Sequence, residues 1–150
     1  MHPIDIEEAK EYLRQIKELE TVIFNKQAEL QQLETLATSI TAPTDREAVQ
    51  TSGISDKVGE CATLIADLKA EIKKDIFAYL IEKSQRIKVI ESVRLQNFTQ
   101  YDLLYRHYAE YKHLTVVASE LRLSYPYVLE LHREALKKVA KILKNQKKPM

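Results

Sequence analysis

From Asp5 onward, apolar side chains return every three, four or seven residues: Ile6, Ala9, Leu13, Ile16, Ile23, Leu30 and Ala37, with Leu19, Leu33 and Ile40 beside them. That spacing draws one stripe along an α-helix and nothing coherent on a strand. A second stripe follows at Val58, Cys61 or Ala62, Ile65, Leu68, Ile72, Ile76, Leu80, Ile87 and Ile90, interrupted by Lys83. The chain has only two glycines, Gly53 and Gly59, which leaves little material for hairpins or a glycine-rich phosphate loop. An all-α fold is the expectation, and each long helix must bury its stripe against another helix.

Breaks between the periodic segments set the expected organisation. Pro3 precedes the first helix, and Glu7, Glu8 and Glu11 load its first turns with negative charge. The helix would be roughly 50 Å long. It is expected to end near Ser39 to Thr41, before the Pro-, Gly- and Ser-containing loop APTDREAVQTSGIS, in which Ala48-Val49-Gln50 forms a short turn. Asp56 is the expected N-cap of the second long helix. Residues 1–95 then form a coiled-coil-like helical hairpin with a loop at 41–55, and residues 96–150 a separate C-terminal domain. Two helices make a thin core, so a second copy is expected to complete a homodimer.

The C-terminal domain opens with a helix from Tyr101 to about Glu110, capped by Asn97 or Thr99, with Tyr101, Leu104, Tyr105 and Tyr108 on its apolar side. The segment LTVVASELRLSYPYVLELHREALKKV (Leu114–Val139) follows. It reads as a short helix with Val117, Ala118 and Leu121 inward, a turn at Arg122-Leu123-Ser124, and a second helix with Val128, Leu131, Ala135, Leu136 and Val139 inward. Ser124 is a good N-cap, and Pro126 is tolerated in the first turn. Two helices joined by so short a turn make a helix-turn-helix, whose second helix enters a DNA major groove in many proteins.

The outward set then becomes the candidate DNA-binding site. Ser124 and Thr115, at helix N-termini, are expected to contact phosphates. Tyr125 and Tyr127 are placed to touch bases, for instance a thymine methyl. Arg133, Lys137, Lys138 and Lys141 would add positive charge. The chain as a whole is nearly balanced, with 23 Lys and Arg against 22 Asp and Glu, but no acidic residue follows Glu134. Such a basic end suits phosphates, and equally a helix C-terminus whose dipole favours cations.

The remaining inventory excludes other chemistry. Cys61 is the single cysteine, so no disulfide within the chain and no Cys/His metal set is expected. His2, His107, His113 and His132 show no ligand spacing, and no nucleophile motif is present, so neither an enzyme nor a cofactor is expected. No apolar run is long enough for a membrane span. The start, MHPIDIEEAKEYL, lacks the basic and apolar regions of a signal peptide, and a cytoplasmic protein is expected.

SYPYVLELHREALKKV resembles the last helix of sigma-factor region 4: a polar cap at Ser124, then Val128, Leu131, Ala135-Leu136 and Lys138-Val139. Over nearly its full length the chain is also similar to phage late-operon transcriptional regulators of the ArpU/RinA kind. The loop residues Ile40-Thr41-Ala42-Pro43, Thr51-Ser52-Gly53 and Asp56-Lys57 carry that likeness. The resemblance implies a phage-encoded regulator in a bacterial host cell that binds promoter DNA and activates late genes. Two departures from the pattern stand out: Arg122 stands where the turn glycine is usual, and Tyr125, Pro126, Leu129 and Glu130 occupy the base-reading positions. An alternative expectation is a helix-turn-helix that has kept its packing and binds a protein, RNA polymerase or a regulator, through its apolar outer residues.

Overall fold

The computed structural model describes residues 5–41 and 52–147, and every secondary-structure element among them is helical. In order these are α1 (Ile6–Thr41), α2 (Ser52–Arg94), α3 (Phe98–Leu104) continuing as a π-helical turn (Tyr105–Ala109), α4 (Leu114–Leu121) and α5 (Tyr125–Lys147). No helix among the described residues is long and apolar enough to cross a membrane.

Local chemistry explains the boundaries. Asp5 caps α1, its Oδ1 accepting from the Glu8 N–H at 2.9 Å. α2 begins at Ser52, four residues before the expected cap at Asp56. The rest of the expected loop, 42–51, lies outside the described residues, as do Pro3 and Lys148. Of the two candidate caps for α3, Asn97 serves: its Oδ1 accepts from the Gln100 N–H at 3.0 Å, so the helix starts at Phe98 rather than Tyr101.

The chain forms two compact units, and both long helices run through both of them. One unit joins Met1–Leu19 to Tyr79–Met150; the other is Glu20–Ala78. The boundary expected between residues 95 and 96 therefore falls inside the first unit. The reason is a shared core. Ala9 and Leu13 of α1 and Val89, Ile90 and Val93 of α2 are buried with Leu103, Leu104, Val117, Val128, Leu136 and Val139 of the helices that follow. The inward residues expected of α5 are all buried there. The smaller unit is a two-helix arm with a narrow seam, in which Ile23, Leu68 and Ile72 are the buried apolar side chains among the described residues. Lys26 pairs with Asp75 at 2.6 Å and with Glu71 at 3.5 Å, and Lys69 pairs with Glu34 at 3.8 Å.

In the first unit the stripe of α2 departs from expectation. Leu80, placed inward by its spacing, is 57 % exposed, and Ile87 is half-buried. The seam there instead follows Tyr79, Arg86 and Val93, seven residues apart, with Lys83 held 5.4 Å over the Tyr79 ring. Arg86 is buried at a position where a charge must be matched. Its guanidinium stacks on the Tyr12 ring at 4.2 Å and donates to the Tyr12 carbonyl at 2.8 Å, to the Gln15 side-chain oxygen and to the Glu82 carboxylate. Burial raises the pKa of Tyr12, and the adjacent guanidinium opposes that rise. Arg86→Ala is expected to lower stability by roughly 2–3 kcal/mol, because it removes the buried guanidinium with its hydrogen bonds to α1 and opens the α1–α2 seam. Urea unfolding of the full chain measures this, and Arg86→Lys is expected to recover only part of the loss, having no planar fork.

Candidate nucleic-acid interface

The turn between α4 and α5 is closed by the backbone. Arg122 is left-handed, with φ 58° and ψ 43°. The Leu123 N–H reaches the Ala118 carbonyl at 3.0 Å and the Arg122 N–H reaches that of Ser119 at 3.2 Å. This is the Schellman arrangement, in which glycine is the usual left-handed residue. A non-glycine residue there carries backbone strain. Ser124 then starts α5, its Oγ accepting from the Tyr127 N–H at 3.4 Å.

α5 is sharply two-faced. Val128, Leu131, His132, Ala135, Leu136 and Val139 are buried, whereas Tyr125, Pro126, Tyr127, Leu129, Glu130, Arg133, Glu134, Lys137 and Lys141 are exposed. Thus Tyr125 (41 %) and Tyr127 (47 %) stand out beside Leu129 (42 %) on the first two turns. Arg133 follows, with no ion pair among the described residues. Lys137 is exposed but pairs with Glu134 at 3.2 Å. Lys138 is half-buried and lies about 100° round the helix from Lys137. Lys137 and Lys141, with Lys144 and Ala140, form one wall of a groove whose other wall is Asp5, Ile6 and Glu7 of α1. Thr115 is exposed in the first turn of α4, but the His113 side chain engages it: Nδ1 accepts from its N–H at 3.3 Å and lies 3.0 Å from its hydroxyl.

The expected site residues thus separate into three places. Ser124, Tyr125 and Tyr127 gather at the head of α5, with Arg133 two turns on. Lys137 and Lys141 sit farther along and face carboxylates. Lys141 is about 24 Å along the axis from Tyr125, twice the ~12 Å width of a major groove, so the two cannot both meet base edges. Thr115 lies on the preceding helix. Cations between α3 and α4 are internally engaged: Glu120 accepts from Arg106 at 2.6 Å and Lys112 at 3.0 Å, while Arg106 also pairs with Asp102 and Lys112 with Glu110. The hydrogen bonds from Lys112 and Arg106 lower the pKa of Glu120.

Beneath this surface lies a cluster that periodicity alone did not single out. Tyr108 Oη and His132 Nε2 are 2.7 Å apart in the core. His107 stands edge-on to both rings, its Nδ1 2.7 Å from the Lys112 carbonyl oxygen. The π-turn inserts an extra residue at this point and ends at Ala109, and Tyr111 just beyond it is left-handed with φ 59°. His132 falls between Leu131 and Ala135 on the inward face of α5, and that register is the signal that marks it as buried. No group of three or more His, Cys, Asp or Glu among the described residues is arranged to hold a metal ion.

Comparisons of the chain with protein-family models, with curated proteins and with solved structures give no match.

Burial, followed by the charges of His107, Lys10 and Arg14, lowers the His132 pKa from 6.5 to about 4. The unfolded chain therefore binds a proton below pH 6.5 that the folded chain refuses. The stability contributed by neutral His132 is full above pH 6.5 and is lost as pH falls towards about 4. The loss is expected to be on the order of 3 kcal/mol. Burial lowers the His107 pKa too, which works in the same direction. Denaturant unfolding at pH 7, 5.5 and 4 measures it, and His132→Leu is expected to flatten the profile over that window.

Proposed function

We propose that this chain is a DNA-binding transcription regulator of phage origin, similar to late-operon activators of the ArpU/RinA kind. On this reading it acts as a homodimer in the cytoplasm of a bacterial host. One observation carries the reading: α5 is packed along one whole face by the unit's core, and its opposite face stands exposed from Tyr125 to Lys141 behind a tightly closed turn. A helix held so firmly on one side, with its N-terminal turns open, suits insertion into a major groove.

Residue chemistry assigns the roles. The Ser124 cap and the α5 N-terminus meet a phosphate. Tyr125 and Leu129 offer apolar contact to thymine methyls, and Glu130 can accept from the cytosine amino group. Arg133 supplies the first cation along α5 itself. Lys137 and Lys141 add field, diminished by Glu134, Asp5 and Glu7. Lys138 and Thr115 make smaller contributions, the first half-buried and the second engaged by His113. Two copies then read two half-sites about 34 Å apart or a multiple of that distance.

A second reading has its own support. Val116 (45 %), Tyr125, Tyr127 and Leu129 are apolar and exposed around the same two helices, a composition suited to a protein partner such as RNA polymerase or another regulator. Salt separates the two. Duplex DNA titrated by fluorescence anisotropy is expected to bind at about 50 mM salt and to weaken steeply towards 200 mM. Arg133→Gln is expected to weaken binding and lower the salt slope by about one, and Lys141→Gln by less. Absence of binding at low salt, to both random duplex and late-promoter DNA, would sink the DNA reading and leave the protein-partner reading.

A further inference from the structure

We propose that Arg122, which closes the turn between α4 and α5, holds a backbone phosphate of duplex DNA at the N-terminal end of α5. The proposal rests on the DNA-binding reading above and adds to it a residue that the sequence pattern marks only as a departure. Its starting point is a strained backbone whose side chain the fold does not use. Arg122 takes φ 58° and ψ 43°, a region open to glycine and costly for a residue with a Cβ. Its side chain is exposed and makes no hydrogen bond, ion pair or ring contact among the described residues. Tyr111, the other left-handed non-glycine residue among them, differs: it is half-buried, and Lys17 lies 6.0 Å over its ring. The fold engages the tyrosine and leaves the arginine to solvent, and strain kept without an internal partner is a mark of ligand-contacting positions.

The neighbouring charges explain why Arg122 stands free. From His113 to His132 the Lys, Arg, Asp and Glu residues are Glu120, Arg122 and Glu130 alone. Glu120, two residues away, accepts from Arg106 at 2.6 Å and from Lys112 at 3.0 Å and is already matched. Glu130 is exposed on the second turn of α5. Without Arg122, the turn and the head of α5 would present Glu130 alone to a polyanion, which repels it. Arg122 offsets that charge at the end of α5 where the fold places no other Lys or Arg. The dipole of α4 also favours a cation near its C-terminus, but a residue inside the last turn would meet that need on an unstrained backbone.

Chain geometry sets the reach. From Tyr125 to Arg133, α5 rises about 12 Å, close to the ~12 Å width of a major groove. Arg122 precedes Tyr125 by three residues, so their Cα atoms are within about 11 Å of each other. Two arginines without ion pairs among the described residues thus stand at the two ends of the segment that carries Tyr125, Leu129 and Glu130. Phosphates border the groove on both strands, and a planar guanidinium at each end meets one through its bidentate fork. Such a contact fixes the register of α5 on the duplex and carries no sequence information of its own.

The test is fluorescence anisotropy of the full chain on random and late-promoter duplex, beside urea unfolding of the same variants. Arg122→Gln keeps the backbone strain and removes the charge. It is expected to weaken binding by the same factor on both duplexes and to lower the salt slope by about 0.9. Its deficit against the wild type then narrows about 3.5-fold between about 50 and about 200 mM salt. Arg122→Lys is expected to keep the slope at a lower affinity, having charge without the fork. Arg122→Gly is expected to weaken binding as Arg122→Gln does while its urea midpoint rises, because glycine relieves the left-handed strain. If the wild type binds and Arg122→Gln matches it in affinity and slope, the assignment falls and the DNA reading stands. A weakening confined to late-promoter duplex overturns the phosphate contact in favour of a base contact. A fall in the urea midpoint of Arg122→Gly also overturns it, by showing that the arginine serves the turn. A wild type that binds neither duplex at low salt overturns the DNA reading and this assignment together.

Discussion

Ala9 and Leu13 have no exposed surface, and the side chains around them come largely from the far end of the chain. That packing is the constraint on which the unit carrying α5 depends. The segment from α3 to α5 is only some fifty residues long, a size at which a lone core is marginal. The first turns of α1 and the last turns of α2 supply the missing cover. Arg86 ties those two helices together where an aliphatic side chain is the usual choice, and its fork fixes one register by reaching Tyr12, Gln15 and Glu82 at once. An aliphatic seam alone would tolerate a slip of the helices that this set of hydrogen bonds does not.

The firmness below and the looseness above are linked. The inner face of α5 is buried from Val128 to Leu143, and its backbone entry is set by the cap at Ser124 and the closed turn before it. Strain at Arg122 is held by the packing on both sides of the turn. The outer face is therefore free to vary in chemistry without cost to the fold. Tyr125, Pro126, Leu129 and Glu130 fill that face with aromatic, apolar and acidic side chains. Of the cations, Arg106 and Lys112 serve to hold α3 and α4 through Glu120, which leaves Arg122 in the turn and Arg133 on α5 without an ion pair among the described residues.

Most of the fold was legible from residue spacing, for reasons that also explain the failures. The inward set of α5, the turn at Arg122 and the α3 cap at Asn97 follow from local rules: period, capping and the left-handed requirement. Arg86 and His132 escaped because spacing rules score side chains as apolar or not, and both are polar groups buried with their partners. Those partners, Tyr12 and Tyr108, lie 74 and 24 residues away in the chain. The π-turn adds a residue to a helix that still reads as regular. The unit boundary escaped because a helix crossing from one unit to the other leaves no glycine, proline or change in composition to mark the crossing. The outer face of α5 was legible residue by residue, but not which of its cations are engaged by Glu134 or face Asp5 and Glu7.

The shared core also sets an order of events during synthesis. Ala9 and Leu13 leave the ribosome about 130 residues before Val139 and Leu143, which pack in the same cluster. At roughly 5–20 residues per second, that is a wait of about 7–26 s. Through that interval α2, then α3 and α4, emerge in turn, and the cover that α5 gives the cluster comes after them. The nascent chain therefore holds an apolar stripe half-covered, in need of shelter from chaperones or from the hairpin itself. Of the described helices α5 is the last to be made, and its arrival completes this core.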